Sequence, residues 1–139
     1  MNFPNNNPEL KEIFQKAETP QISEFEGEYF VDMLTGIPSL RRFSHRKVFY
    51  PQDGKVLGFN ILFANKAWGR FFLEQGICQE ADSLRVVIIN YNRPENSFVS
   101  NRIRDEIRCL DPGKSYICRF NYMFLGKPCF LGYFSLLRN

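Results

Sequence analysis

The sequence predicts an all-β protein, an eight-stranded antiparallel up-and-down β-barrel preceded by one short N-terminal helix. The strongest signal lies in the last third of the chain, where Tyr116, Cys118 and Phe120 alternate with Ile117 and Arg119. Alternation with a period of two in an aromatic-rich segment indicates a strand with one buried face. Eight such segments follow one another, joined mostly by short turns, and this favours antiparallel neighbours.

Closure of these strands into a barrel is the preferred arrangement. Eight strands suffice for a small barrel, and closure removes the exposed edges that an open sheet leaves. A two-sheet sandwich is the main rival fold. We expect one domain over residues 1–139, with an N-terminal arm and helix at 1–24 and the barrel at 25–138.

The helix is predicted at residues 8–17. Asn7 can cap its N-terminus, Pro8 suits the first helical position, and Thr19-Pro20 ends it. So short a helix is not stable alone in water, so it must plug the barrel or pack on the side of a sheet rather than serve a partner. Of these we expect it to cover the floor of the barrel. Its apolar stripe is formed by Leu10, Ile13, Phe14 and Ala17.

The strands are predicted from alternation and from the turn residues between them. Asp53-Gly54 is a strong hairpin signal because Asp-Gly adopts the positive φ that such turns need. The segment 84–91 is almost continuously apolar, which is typical of a strand covered on both faces. The predicted strands are 27–34, 46–50, 57–63, 68–74, 84–91, 98–109, 115–124 and 129–138. The side chains expected to point inward are Tyr29, Val31, Phe59, Ile61, Val86, Ile88, Tyr116, Cys118 and Phe120.

Composition limits the classes of function. The net charge of +3 is far less basic than nucleic-acid binding usually brings, and no apolar run is long enough to span a membrane. The N-terminus lacks the pattern of a signal peptide, so a cytoplasmic location is expected. Four cysteines lack Cys-x-x-Cys spacing and only one His accompanies them, so we expect no metal, no cofactor, and cysteines that act as small buried hydrophobes.

Three side chains are candidates for chemistry or ligand contact. Trp68 can stack on a ligand, although a lone Trp in a strand is more often part of a core. Asp105 shares a predicted strand face with Ile103 and Ile107, and a carboxylate on an apolar face must be paired, bind a ligand or shift its pKa. His45 is expected to be a solvated loop residue, since no partner is apparent that would orient it as a catalytic base.

The charges of the predicted connections differ between the two ends of the barrel. In an up-and-down barrel the first, third, fifth and seventh connections share one end, and the first, at 35–45, is placed to cover a mouth there. One interpretation is that the charges are spread unevenly by chance. The functional interpretation is that they create a positive field at the mouth of a pocket. The basic end carries Arg41, Arg42, Arg46, Lys47, Lys66, Arg93 and Lys127 against Glu95, and the other carries Asp53, Glu80, Asp82 and Asp111.

Two short motifs at the ends of the predicted barrel are similar to those of a known superfamily. Gly27-Glu28-Tyr29 opens the first strand, where the superfamily usually has Gly-x-Trp, and Arg138 ends the last strand. With the helix and eight strands, this order resembles the lipocalin-like (calycin) barrels. The segment 105–108 before a Pro-Gly turn is similar to bacterial lipocalin-like domains of the GXWXXXG type. The resemblance implies that Arg138 packs over Tyr29 and closes the narrow end, and that a small hydrophobic ligand is bound.

Three functions follow as hypotheses. The first is a barrel that binds a hydrophobic or amphipathic, anionic, fatty-acid-like ligand at the basic end. The alternative is an isomerase or lyase that uses Asp105 and a Tyr inside the same barrel. A nucleic-acid binder using Arg102, Arg104, Arg108 and Arg119 ranks last, so no nucleic-acid partner is expected, and the oligomeric state is left open. The candidate ligand-binding residues are Tyr29, Phe59, Ile61, Trp68, Asp105, Tyr116, Phe120, Arg41 and Arg42.

Overall fold

The chain forms a closed barrel of eight antiparallel strands, seen in a computed structural model that describes residues 2–36, 45–62 and 64–139. Each strand pairs with the next along the chain, and the last pairs with the first. The predicted barrel is therefore confirmed, and a sandwich is excluded. The elements are α1 Asn7–Lys16, β1 Gly27–Met33, β2 His45–Gln52, β3 Lys55–Ile61, β4 Ala67–Ile77, β5 Arg85–Asn90, β6 Arg104–Asp111, β7 Ser115–Phe124 and β8 Lys127–Arg138.

Tight turns set the register of the hairpins. Asp53 and Gly54 both have positive φ, 53° and 77°, so the predicted turn joins β2 to β3. Leu125 and Gly126 make a similar turn between β7 and β8, with φ of 51° and 75°. The start of β6 was predicted too early, because residues 98–103 form a turn and a short 3₁₀ helix before the strand begins.

One end of the barrel is filled by aromatic rings. Phe25 lies 4.6 Å from Tyr116 and 5.2 Å from Phe49, ring centre to ring centre. Tyr29 packs edge-on against the same Tyr116 at 5.8 Å. Arg138 closes this end: its guanidinium lies 5.6 Å from the Tyr29 ring centre and donates to the Tyr29 hydroxyl at 3.3 Å. The predicted contact between Arg138 and Tyr29 is therefore confirmed.

Helix α1 lies outside the barrel wall, so the prediction that it covers the floor is wrong. Its buried Leu10 and Phe14 pack in a cluster with Val86, Ile88 and Ile117, on the outer faces of β5 and β7. Those faces are apolar and need a cover, whereas Phe25 already fills the floor. The helix is capped by Asn6 rather than Asn7: the Asn6 side chain accepts from the Glu9 amide at 3.0 Å.

The buried guanidinium of Arg108 fixes the C-terminal end of the helix to the barrel. It donates to the carbonyl oxygens of Phe14 and Ala17, and to that of Arg85 on β5 at 2.7 Å. A cation at a helix C-terminus satisfies carbonyls that have no partner within the helix and interacts favourably with the dipole.

The predicted facing of two strands is wrong. On β3, Asn60 is buried inside the barrel, so Phe59 and Ile61 point outward and are half-buried. Gly58 belongs to the inner face because a Cβ there would lie 2.4 Å from the Phe71 ring. On β5, the inner side chains are Val87 and Ile89, whereas Val86 and Ile88 lie under the helix. The prediction that β5 is covered on both faces is confirmed. Cys78, Cys109 and Cys118 are buried as expected, but Cys129 is exposed.

Candidate functional site

A cavity of about 320 Å³ lies at the end of the barrel opposite the aromatic floor. Met33 ends β1, His45 begins β2, Tyr91 follows β5 and Ile103 precedes β6, and all four line the cavity. We call this the cavity end; it is the end of the β1–β2, β3–β4, β5–β6 and β7–β8 connections. The described lining residues are Val31, Met33, His45, Lys47, Leu62, Trp68, Tyr91, Ile103, Asp105, Phe120 and Phe134.

Lys47 is the cation of this cavity. Its side chain is only 3% exposed, and its ammonium donates to Asn60 Oδ1 at 2.7 Å and to the Tyr91 hydroxyl at 2.5 Å. The ammonium also lies 5.3–5.6 Å from three ring centres, those of Phe71, Tyr91 and Phe134. Such rings stabilise a cation through their quadrupoles. Among the described residues, however, no carboxylate lies within ion-pair distance of this ammonium.

Burial of Lys47 opposes its charge. Desolvation lowers the pKa of the Lys47 ammonium, while the nearby charges of Asp105 and Cys118 raise it. An isolated ammonium in an apolar interior is costly unless it is paired. Two neutral acceptors and three rings offset only part of that cost, and Lys47 is therefore a site where an incoming anion would be stabilised.

Asp105 is the carboxylate of the cavity. It is 1% exposed and lines the cavity, and no described residue donates a hydrogen bond to its Oδ1 atom. Burial raises the pKa of Asp105 to about 7, and Glu106 adds to the rise, while the Lys47 ammonium and the Asn121 amide oppose it. A buried carboxyl with an unused oxygen and a pKa near neutrality can exchange a proton with a bound molecule.

A β-bulge directs Trp68 to the site. Gly69 has a φ of 62° where the β3–β4 register shifts, and its carbonyl accepts from Asn60 at 3.2 Å. The Trp68 ring stacks on Tyr91 with centres 6.3 Å apart and planes at 19°. Its Nε1 atom is buried and has no acceptor among residues 2–36, 45–62 and 64–139. A buried indole N–H usually has a hydrogen-bond partner, so this one is a candidate donor to a ligand.

The predicted site residues fall into four groups. Trp68, Asp105 and Phe120 line the cavity, and His45, which was predicted to be a solvated loop residue, joins them at the start of β2. Tyr29 and Tyr116 belong to the aromatic floor, away from the cavity lining, and Phe59 and Ile61 point outward. Arg41 and Arg42 lie outside the described residues.

Sequence reasoning missed the polar core of the site. Lys47 was placed in the basic group at the barrel end, since a Lys near the start of a strand is usually solvated. Asn60 stands between two large apolar residues, so its strand was assigned the opposite face. One signal could have found them. Lys47 falls on the same strand face as Phe49, and Asn60 falls on the same strand face as Val56 and Gly58.

Charge differs between the two ends, though less completely than predicted. Over the described residues, the connections at the cavity end carry Lys66, Arg93 and Arg102 against Glu95. The connections at the opposite end carry Asp53, Glu80, Asp82 and Lys114. Lys114 was not expected there, and Lys47 lies inside the barrel rather than on its rim.

Two of the four arginines of the nucleic-acid hypothesis are buried. Arg108 and Arg119 are 5% and 1% exposed, and Arg119 pairs with Glu106 and Glu80 at 3.0 and 2.9 Å. The aromatic side chains of the inner core, such as Tyr116 and Phe134, are buried inside the barrel, where they cannot stack on bases.

Comparisons of the chain with protein-family models, with curated proteins and with solved structures gave no match. Over the described residues, no helix is long and apolar enough to cross a membrane. No group of three or more His, Cys, Asp or Glu side chains in the same residues is placed to hold a metal ion.

Proposed function

We propose that this protein is a small-molecule-binding barrel whose ligand has an apolar body and an anionic head. The observation that carries the proposal is a buried lysine, Lys47, inside a mainly apolar cavity at the end of the barrel where positive charge prevails. The anionic head would meet the ammonium, and the apolar body would occupy the space beside it.

The cavity suits the apolar body. Its volume of about 320 Å³ falls at the lower end of the range of small-molecule sites. Most of its wall is hydrophobic and aromatic, as in sites that bury most of a ligand's surface. Phe120, Phe134 and Ile103 form part of this wall. A short or medium-length fatty-acid-like chain has the required chemistry.

The hydrogen-bonding capacity of the site suits the anionic head. An ammonium has three N–H donors, and the two bonds of Lys47 to Asn60 and Tyr91 leave one for a ligand. Trp68 lines the same cavity, and its Nε1 atom adds a second donor that no described residue accepts. A carboxylate accepts hydrogen bonds from such donors, and each charge-assisted hydrogen bond contributes about 1.5–3 kcal/mol to binding.

Membership of the lipocalin-like superfamily is part of this proposal. The closed eight-stranded meander and the stacking of Arg138 on Tyr29 agree with what the resemblance implies. Most members of that superfamily bind small hydrophobic ligands. Fold alone does not imply function, so the proposal depends on the cavity and on Lys47.

The experiment is native mass spectrometry of the purified protein, followed by organic extraction and titration with a fluorescent fatty acid. A co-purified acid, or saturable binding of the probe with one molecule per chain, is expected. An empty cavity together with no saturable binding of the probe would end the proposal.

A second function is favoured by one observation: the buried Asp105 near Tyr91 has an Oδ1 atom to which no described residue donates. This is the arrangement required of an isomerase or lyase in which Asp105 removes a proton from a bound substrate and a hydroxyl polarises it. An Asp105→Asn variant separates the two functions. If the protein only binds a ligand, the variant should still bind the fatty-acid probe. If it is an enzyme, the variant should still bind the extracted compound but no longer turn it over.

A further inference from the structure

We infer that the cavity end of the barrel docks on an anionic phospholipid surface. This inference goes beyond ligand binding and depends on different residues. It starts from four large apolar side chains exposed on two connections of that end. Phe98 and Val99 in the β5–β6 connection are 71% and 65% exposed, and Phe124 and Leu125 at the β7–β8 turn are 57% and 85% exposed.

The two connections lie side by side. The Tyr122 hydroxyl, near the end of β7, donates to the Val99 carbonyl oxygen at 3.1 Å. Ile103 and Tyr122 also form an isolated antiparallel bridge. The four apolar side chains therefore belong to one sector of the barrel rim, and we call them the rim patch. Ile103 lines the cavity as well, so the rim patch adjoins the cavity wall.

Two cations adjoin the rim patch, and a third lies at the same end of the barrel. The guanidinium of Arg102 lies 3.9 Å from the Phe98 ring centre. Lys127 is exposed next to the β7–β8 turn, where it is the strand-register partner of Phe124. Lys66 is exposed in the β3–β4 connection of the same end. The acid among these connections, Glu95, is already paired with Arg93 at 2.7 Å. The surface is thus complementary to negative charge.

A lipid surface fits this arrangement better than a protein partner does. A stable protein interface buries about 800 Å² on each side, with roughly 20–30 residues. The rim patch offers four apolar side chains on two projecting connections. Insertion into a bilayer interface requires no matching shape, only apolar side chains that enter the headgroup region and cations that attract anionic lipid. Docking in this way would bring the cavity to the source of an amphipathic ligand.

The test is co-sedimentation with vesicles of phosphatidylcholine alone and of phosphatidylcholine mixed with phosphatidylserine. The wild-type protein is expected to bind the mixed vesicles, with binding that falls as salt rises. A Phe98→Ser/Leu125→Asn double variant should bind them about tenfold less or weaker still. Lys127→Gln should bind about fivefold less. Ile77 is exposed outside the rim patch, so Ile77→Ser serves as the matched control and should bind like wild type.

Each other outcome overturns the inference. Docking through the rim patch is excluded if the wild-type protein binds neither kind of vesicle. It is also excluded if the double variant binds as well as wild type. If sedimentation velocity instead shows self-association that the double variant abolishes, with no vesicle binding, a second copy of the chain covers this surface. Probe titration without vesicles separates this inference from the proposed function, since the rim variants should leave fatty-acid affinity unchanged.

Discussion

The ammonium of Lys47 and the hydroxyl of Tyr91 lie 2.5 Å apart inside the barrel, where Asn60 completes their hydrogen bonding. Lys47 comes from β2, Asn60 from β3, and Tyr91 from the residue after β5. Because three parts of the chain meet at one buried cation, the site depends on closure of the barrel. The contribution of each member to stability should therefore depend on the other two.

Removal of the Tyr91 hydroxyl should destabilise the protein. A Tyr91→Phe substitution leaves the buried Lys47 with one fewer acceptor, and an unsatisfied charged group costs about 1–3 kcal/mol or more. Urea denaturation should show that loss in the free energy of unfolding. Tyr50→Phe is the control, since Tyr50 is half-buried and packs against Phe59 at 6.3 Å on another part of the sheet. Equal effects of the two substitutions would contradict the role given to Tyr91.

Asp105 should make the folded protein less stable as the pH rises. Burial raises its pKa from 3.8 to about 7, so folding favours the protonated carboxyl. Its contribution to stability is fully present below the unfolded pKa and is lost as the pH rises through about 7. Asp105→Asn mimics the protonated form. Its free energy of unfolding, relative to wild type, should therefore rise between pH 5 and pH 8, as followed by denaturation in a range of buffers. A constant difference, or a fall, would mean that Asp105 is ionised and stabilised in the fold.

Arg138→Ala should weaken closure of the aromatic floor. The guanidinium donates to the Glu26 carbonyl oxygen at 2.7 Å and stacks on Tyr29, so its loss should cost about 1–3 kcal/mol. Thermal unfolding measures the effect. Arg70→Ala is a matched control, because the exposed Arg70 lies 5.7 Å from the Phe59 ring on the outer surface. If Arg138→Ala melts like wild type, Arg138 is an ordinary terminal residue.

The fold could be predicted because alternation and turn residues are local signals. The hairpin at Asp53-Gly54 and the alternation from Tyr116 to Phe120 each specify a strand and its end, and eight strands in order leave few alternatives to a meander. Which face points inward is not local. Leu57, Phe59 and Ile61 alternate as a core face would, but the inner face holds Asn60, because its partners Lys47 and Tyr91 come from other strands.

The candidate site could be predicted only in part for the same reason. Asp105 and Trp68 were found because each stands out on its own strand. Lys47 was hidden because charged side chains are rarely buried without a partner, and its partners are 13 and 44 residues away. The placement of the helix failed likewise, since the outer faces of β5 and β7 that it covers are formed by distant segments.

The central claim is tested most directly by comparing how Lys47→Met changes the affinity for a fatty acid and the affinity for the matching fatty alcohol. Fluorescent fatty acid and the matching fatty alcohol are titrated into wild type, Lys47→Met and Lys55→Met, in which the lysine removed is an exposed one at the start of β3. Loss of the Lys47 charge should weaken binding of the acid by about tenfold or more and leave binding of the alcohol nearly unchanged. The melting temperature should stay the same or rise, since a buried charge is removed. Lys55→Met should match wild type. A Lys47→Met protein that folds normally and binds the acid as tightly as wild type would contradict the claim that this lysine holds an anionic head.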